Sequence, residues 1–148
     1  MQRMENYVTL EFLSRSSNEG FARVAAAGFA AQLDPTLDEL GDIKTAVSEA
    51  VPNALVHGYP DQLGKIGMKL KRLENNTLEI TVRDWGKGIE DIQQARQPLF
   101  TTGGEERSGM GFTIMESFMD KLTVRSVPGR GTTVTMRKRV SARLLGKR

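Results

Sequence analysis

Two short segments with complementary chemistry stand 35 residues apart in this chain. Glu49-Ala50-Val51-Pro52-Asn53 carries a carboxylate and a side-chain amide four residues apart. Inside a helix that spacing puts both groups on one face, one turn apart. A carboxylate there can take a proton from an attacking hydroxyl. The amide oxygen is a hard donor of the kind Mg²⁺ prefers. The same pair also reads as a solvated Glu/Asn couple on a helix surface. Asp84-Trp85-Gly86-Lys87-Gly88-Ile89 follows an alternating apolar stretch. An aspartate ending a buried strand can accept a hydrogen bond from an exocyclic amine such as that of adenine. Gly86 and Gly88 let backbone come close to a flat ring, although an ordinary Asp/Gly turn fits the segment as well.

A third segment is Arg107-Ser108-Gly109-Met110-Gly111, which opens a helical pattern. Glycines at a helix start leave the first amides free to meet an anion, and the dipole favours negative charge there. Arg107 can set a guanidinium on a terminal phosphate. The preceding Thr101-Thr102-Gly103-Gly104-Glu105-Glu106 reads as a polar lid over a nucleotide. A helix with a glycine-rich entry and no ligand is the plainer alternative. No helix follows Gly86 and Gly88 directly, so this is not a dinucleotide fingerprint. A Gly-Lys-Ser/Thr phosphate loop is absent too.

The elements that must position these groups follow from periodicity. Val8, Leu10 and Phe12 alternate with polar residues, which predicts an opening strand. Ser16 and Glu19 read as a capping box, followed by a helix with Phe21, Val24, Ala25, Gly28 and Phe29 on its inner face. Thr36 and Glu39 form a second capping box. Leu37, Leu40, Ile43, Val47, Ala50, Ala54 and Leu55 continue it at helical spacing, and Gly58 ends it. The small residues Ala46, Ala50 and Ala54 leave room for a ligand beside that helix. Ile66, Met68 and Leu70, then Leu78, Ile80 and Val82, predict two strands joined by a turn at Glu74-Asn75-Asn76. Residues 86–108 read as irregular. A helix over 111–120 buries Phe112, Met115, Phe118 and Met119, and strands over 122–127 and 132–140 are joined by Pro128-Gly129-Arg130-Gly131. Antiparallel strands with segregated helices imply an α+β, two-layer α/β sandwich.

The 148 residues suit one domain, read over 1–148, and 39% hydrophobic with 26% charged residues is an ordinary globular balance. No apolar run is long enough for a membrane span, and no secretory leader opens the chain, so the expectation is a cytoplasmic protein with no membrane partner. With no cysteine and one histidine, His57, the sequence excludes disulfides, thiolate nucleophiles and multi-histidine metal sites. His57 reads as a structural group at a helix terminus. Six Lys or Arg and no acid lie between Arg137 and Arg148. That tail can attract nucleic acid, but no aromatic is interleaved for stacking, so it reads as a solvated end without a direct nucleic-acid role.

In this order the three segments resemble the ATP-binding motifs of the superfamily that contains DNA gyrase, the Hsp90 chaperone, the sensor histidine kinases and MutL. The resemblance is strongest to the anti-sigma F factors of spore-forming bacteria. It is carried by Phe21-Ala22-Arg23-Val24, Gln32-Leu33-Asp34-Pro35-Thr36, Gln97-Pro98-Leu99-Phe100-Thr101-Thr102 and the run from Glu106 to Glu116. It implies a Bergerat-type ATP-binding fold with a mixed, mostly antiparallel sheet and helices on one face. The implied activities are two: holding a sporulation sigma factor from RNA polymerase, and phosphorylating an anti-anti-sigma partner on serine with Mg-ATP. A homodimer is implied as well.

By the same resemblance Glu49 is the general base, Asn53 the Mg²⁺ ligand, and Asp84 the adenine reader with Gly86 and Gly88 at the ring. Thr101 and Thr102 belong to the lid. Gly109 and Gly111, with Ser108 and Met110, lie at the phosphates, and Arg107 at the terminal one. Thr132 or Thr133 supports the adenine site from the last strand. Arg23 meets protein partners. Three departures from the family pattern are Pro52 inside the catalytic helix, the bulky Trp85, and Gly103-Gly104 in a shortened lid. Pro52 lacks a backbone N–H and can kink the helix between Glu49 and Asn53, which keeps open a second reading: a nucleotide-gated sigma-binding module with little or no kinase activity.

Overall fold

The computed structural model describes residues 2–96 and 111–141. Within them β1 (Met4–Leu13) leads through short turns to α1 (Glu19–Ala30) and α2 (Leu37–Gly58). β2 (Lys65–Leu73), β3 (Thr77–Asp84), α3 (Ile92–Arg96), α4 (Gly111–Phe118), β4 (Lys121–Val127) and β5 (Gly131–Arg139) follow. The strands form one sheet in the order β1-β2-β3-β5-β4, every neighbouring pair antiparallel.

Strict alternation decides which sheet face is covered. Ile66, Met68 and Leu70, then Leu78, Ile80 and Val82, then Val134 and Met136 are buried. They meet Ile43, Val47 and Val51 of α2, and Ala22, Ala26 and Phe29 of α1, in one core. Asn75 and Asn76 both adopt positive φ, 63° and 51°. The short polar side chain of asparagine tolerates that conformation, so the pair closes the β2–β3 hairpin tightly.

The start of α2 is fixed as its sequence predicts. The Thr36 side chain accepts from the Glu39 amide at 3.1 Å, and the Glu39 carboxylate accepts from the Thr36 amide at 2.9 Å. Ser16 makes no such cap: it opens a short 3₁₀ turn, and α1 begins only at Glu19, behind Asn18. The inner face of α1 is also displaced from the one expected. Phe21 and Val24 are 57% and 67% exposed, and the buried stripe is Ala22, Ala26, Phe29 and Ala30. Small residues face inward because α1 packs closely on α2, whereas bulk alone would have favoured Phe21. Leu37 is exposed in the first turn of α2, and Phe118 is 38% exposed at the end of α4. The sequence missed α3, whose five residues are too few to show a helical period.

Candidate functional site

α2 carries the first pair of candidate groups. It runs unbroken from Leu37 to Gly58 with Pro52 buried inside it. The missing N–H at Pro52 therefore does not turn Asn53 away from Glu49. A Cβ placed on Gly111 would lie 3.6 Å from both Glu49 Oε1 and Asn53 Cγ. The first residue of α4 thus faces the carboxylate and the amide together, and a side chain there would come into contact with both. Asn53 Nδ2 is buried with no hydrogen-bond partner among the described residues, and an orphaned amide of this kind is costly unless a polar group meets it. Ala54 lines the adjoining cleft, but Ala46 and Ala50 are buried in the hydrophobic core and leave no room for a ligand. Their small size serves helix-to-helix packing.

β3 supplies the second group. Asp84 ends the strand on its inner face and is 2% exposed. Its Oδ1 accepts from the Gly86 amide at 3.0 Å. Burial raises its pKa above the usual aspartate value, and hydrogen bonds from the Gly86 and Thr132 amides offset only part of that rise. The cleft beside it is lined by Asn53, Ala54, His57, Asp84, Phe112 and Thr132, together with Val82, Ile89 and Val134. Asn53, Asp84 and Thr132, remote in sequence, therefore open onto one space.

Gly86 and Gly88 work differently from the sequence expectation. A Cβ on Gly86 would stand 2.0 Å from the Gly58 carbonyl oxygen, and one on Gly88 would stand 2.5 Å from that of Val127. The space their missing side chains leave is filled by this chain's own backbone, not kept for a flat ring. Gly88 also needs its φ of 78°, a left-handed conformation. Both glycines thereby lock the loop that orients Asp84: the Lys87 amide donates to Gly58 O at 3.0 Å, and the Gly129 amide to Lys87 O at 2.7 Å.

β5 puts the two candidate threonines on opposite faces of the sheet. Thr132 is buried opposite Asp84, and Thr133 lies on the other sheet face. Thr132 Oγ1 is 2.8 Å from Ser126 Oγ, which accepts from the Ile89 amide at 2.7 Å and donates to Gly131 O at 3.1 Å. Sequence reasoning missed Ser126, although the turn at 128–131 sets it opposite Thr132. His57 was missed as a pocket residue. Its ring stacks on Phe112 with centroids 6.3 Å apart and planes 15° from parallel, forming an aromatic wall of the cleft.

Trp85 turns away from the cleft. Its ring lies on the outer sheet face, 3.3 Å from where a Gly67 Cβ would stand, with Lys65 Nζ 4.3 Å and Arg83 Cζ 4.7 Å from its centroid. Arg23 is exposed on α1, its guanidinium 3.4 Å from the Ser48 hydroxyl, next to Glu49 in the chain. Thr101, Thr102, Arg107, Ser108, Gly109 and Met110 lie outside the described residues, as do the rest of the lid and the tail beyond residue 141. No group of three or more His, Cys, Asp or Glu suited to a metal occurs among the described residues, and no described helix is long and apolar enough to cross a membrane.

Comparison with known proteins gives this geometry a context. The family model described as a histidine kinase-like ATPase domain matches residues 14–138. An anti-sigma F factor of Thermoanaerobacter sp. is 56% identical over 93% of this chain and 96% of its own length. The anti-sigma F factor of Bacillus subtilis is 55% identical over 93% and 95%. Among solved structures, the RsbU and RsbW domains of a Mycobacterium tuberculosis protein superpose with a TM-score of 0.68 at 18% identity, over 92% of this chain and 33% of that one. A blue-light activated histidine kinase of Erythrobacter litoralis superposes with a TM-score of 0.58 at 26% identity, over 76% and 34%.

Proposed function

Because the chain belongs to the anti-sigma F factors, within the histidine kinase-like ATPase domain family, we propose that it holds a sporulation sigma factor from RNA polymerase and switches that hold by phosphorylating an anti-anti-sigma protein on serine. It is an ATP-dependent protein serine kinase as well as an anti-sigma factor. The observation that carries this reading is the convergence of Glu49, Asn53 and Gly111 beside the cleft that contains Asp84 and Thr132.

In this reading the Asp84 carboxylate accepts from the adenine amine, held in its rotamer by the Gly86 amide. Thr132, fixed through Ser126, completes that end of the site, and His57 with Phe112 walls it. Arg107, Gly109 and Gly111 attend the phosphates, with Ser108 and Met110 between them and Thr101 and Thr102 in the lid. The partner's serine oxygen bonds to the terminal phosphorus as the bond to ADP breaks, and its proton passes to Glu49. Phosphoryl transfer asks chiefly for positioning and charge neutralisation, so one base, one metal and an arginine suffice.

Mg²⁺ suits the donor set. It is normally held by one or two protein oxygens plus phosphates and water, and the Asn53 amide supplies one protein oxygen beside a buried Nδ2 that has no partner among the described residues. When bound, the ion neutralises phosphate charge. The unbroken run of α2 through Pro52 favours an active kinase over a module that binds nucleotide without transfer.

Arg23, beside exposed Phe21 and Val24, offers a mixed cationic and apolar surface to protein partners next to the base. β1 is an edge strand, and with α1 it gives a homodimer room to form. The chain acts as one domain in the cytoplasm, with no direct nucleic-acid contact. Incubation with radiolabelled Mg-ATP and the anti-anti-sigma protein tests the reading. Wild type transfers label to a partner serine, and Glu49→Ala loses about 100-fold or more of that rate while still binding ATP. ATP binding with no label on the partner would refute the kinase.

A further inference from the structure

The sheet face that no described helix covers carries a charge field that the kinase reading leaves unused. Cross-strand register arranges it in rows. One row runs Tyr7, Lys71, Glu79, Arg137, Lys121 across all five strands. The next runs Thr9, Lys69, Thr81, Thr135, Thr123, and the third Glu11, Gly67, Arg83, Thr133, Arg125. These rows hold six cations and two carboxylates, a surplus of four, whereas the whole chain carries a net +3. The remainder of the chain therefore nets −1, even with the cationic run after Arg137 included.

Both carboxylates are already engaged. Glu79 accepts from Arg137 Nε at 2.7 Å and lies 3.7 Å from Lys71 Nζ. Glu11 lies 3.8 Å from Lys65 Nζ. Lys121 stands directly opposite Arg137, a like-charge pairing that repels, and neither Lys121 nor Arg125 has an ion pair among the described residues. Between β4 and β5 these cations flank a shallow polar groove of about 340 Å³, floored by Thr123, Thr133 and Thr135. The threonines add hydroxyl donors without bulk.

We infer that this outer sheet face docks an acidic, extended segment of a protein partner, laid over the β4–β5 groove. Along a strand, side chains on one face repeat about every 6.8 Å. An extended acidic peptide presents alternate carboxylates at the same period, so it matches the field over several residues. A lone phosphate does not, because the cations spread over three rows instead of converging on a point. Base stacking is disfavoured, since Trp85 has Lys65 and Arg83 over its ring and Tyr7 has Lys69 Nζ 5.0 Å from its centroid. A second copy of this face is disfavoured by its own charge.

The test uses the full chain and a fluorescently labelled oligo-glutamate peptide, with binding followed by anisotropy at low and physiological salt. Oligo-glutamate should bind and weaken with salt. The double change Lys121→Glu with Arg125→Glu should lower affinity by about tenfold or more and leave ATP binding unchanged. If the reversal variant does not fold, Lys121→Gln with Arg125→Gln gives a smaller loss in the same direction. Absence of oligo-glutamate binding, or binding indifferent to these residues in a folded variant, overturns the inference. So does tighter binding of oligothymidylate that depends on the same two cations, because the face would then be a nucleic-acid site.

Discussion

Gly58 and Asp84 touch: a Cβ on the last residue of α2 would stand 2.7 Å from the Asp84 Oδ1 atom and 2.7 Å from its Cγ. The helix that carries Glu49 and Asn53 is thereby referenced directly to the carboxylate at the far end of the cleft. Gly58 is glycine for this closeness and not for a left-handed cap, since its φ is not positive.

Gly58→Ala therefore has to push Asp84 or the helix end aside. The expected cost is about 1–3 kcal/mol of stability, as for other overpacked buried positions. ATP affinity should fall with it, because the displaced carboxylate no longer meets the adenine amine. Chemical denaturation and calorimetric titration on the same variant measure the two effects. Unchanged affinity in a folded variant would separate Asp84 from adenine recognition.

Asp84 also predicts a pH dependence. Burial raises its pKa, so ionising it costs stability in the folded chain. That cost is present above the raised pKa and is relieved as pH falls through it. Adenine binding runs the other way, because only the ionised carboxylate accepts freely from the amine. ATP affinity should decline on acidification beginning above the ordinary aspartate range, and Asp84→Asn should flatten the profile while weakening adenine nucleotides specifically.

At Gly111 the neighbouring side-chain atoms are in ordinary contact range of an added methyl, 3.5 Å at the nearest. Gly111→Ala should fold, with stability within about 1 kcal/mol of wild type. The methyl would intrude between Glu49 and Asn53. ATP affinity should drop more than adenosine affinity, which fluorescence titration with each ligand resolves. Equal loss for both would place the phosphates elsewhere.

The Glu39 carboxylate joins two ends of the molecule. It caps α2 through Thr36 and accepts from the Ser141 amide at 3.0 Å and the Ser141 hydroxyl at 2.9 Å. Burial alone would raise its pKa, but the hydrogen bonds from Thr36 and Ser141 outweigh it and hold the pKa below the usual glutamate value. Its stabilisation is therefore present above the ordinary glutamate range and is lost as pH falls through the depressed value. Thr36→Ala should cost about 1 kcal/mol. Glu39→Gln should weaken the acid sensitivity of thermal unfolding.

Gly28 offers an opposite case. It is exposed within α1, and nothing lies within 4 Å of an added Cβ. Gly28→Ala should stabilise the protein by about 1 kcal/mol through helix propensity alone. A higher unfolding midpoint with unchanged partner affinity is the expected result, and a stability loss would mean that α1 is distorted there.

Much of this molecule is legible from residue order. Alternation at 66–70 and 78–82 predicts both strands and their buried faces, and Thr36 with Glu39 announces the start of α2. The pairing of Glu49, Asn53 and Asp84 follows from motif chemistry and spacing. What the sequence obscures depends on tertiary contact. The inner face of α1 is misread because close helix packing prefers Ala22 and Ala26 to Phe21 and Val24. Gly86 and Gly88 look like ligand-facing glycines but make room for Gly58 and Val127. Ser126 is legible only through the register of the 128–131 turn, whereas His57 has no local signature and only the folded chain brings it to Phe112.

The sheet order has a consequence for synthesis. The last strand to leave a ribosome, β5, belongs between β3 and β4, and it brings Thr132 to Asp84. A nascent polypeptide that lacks it has neither a continuous sheet nor a finished adenine end. In the proposed reading, nucleotide capture therefore awaits near-complete translation.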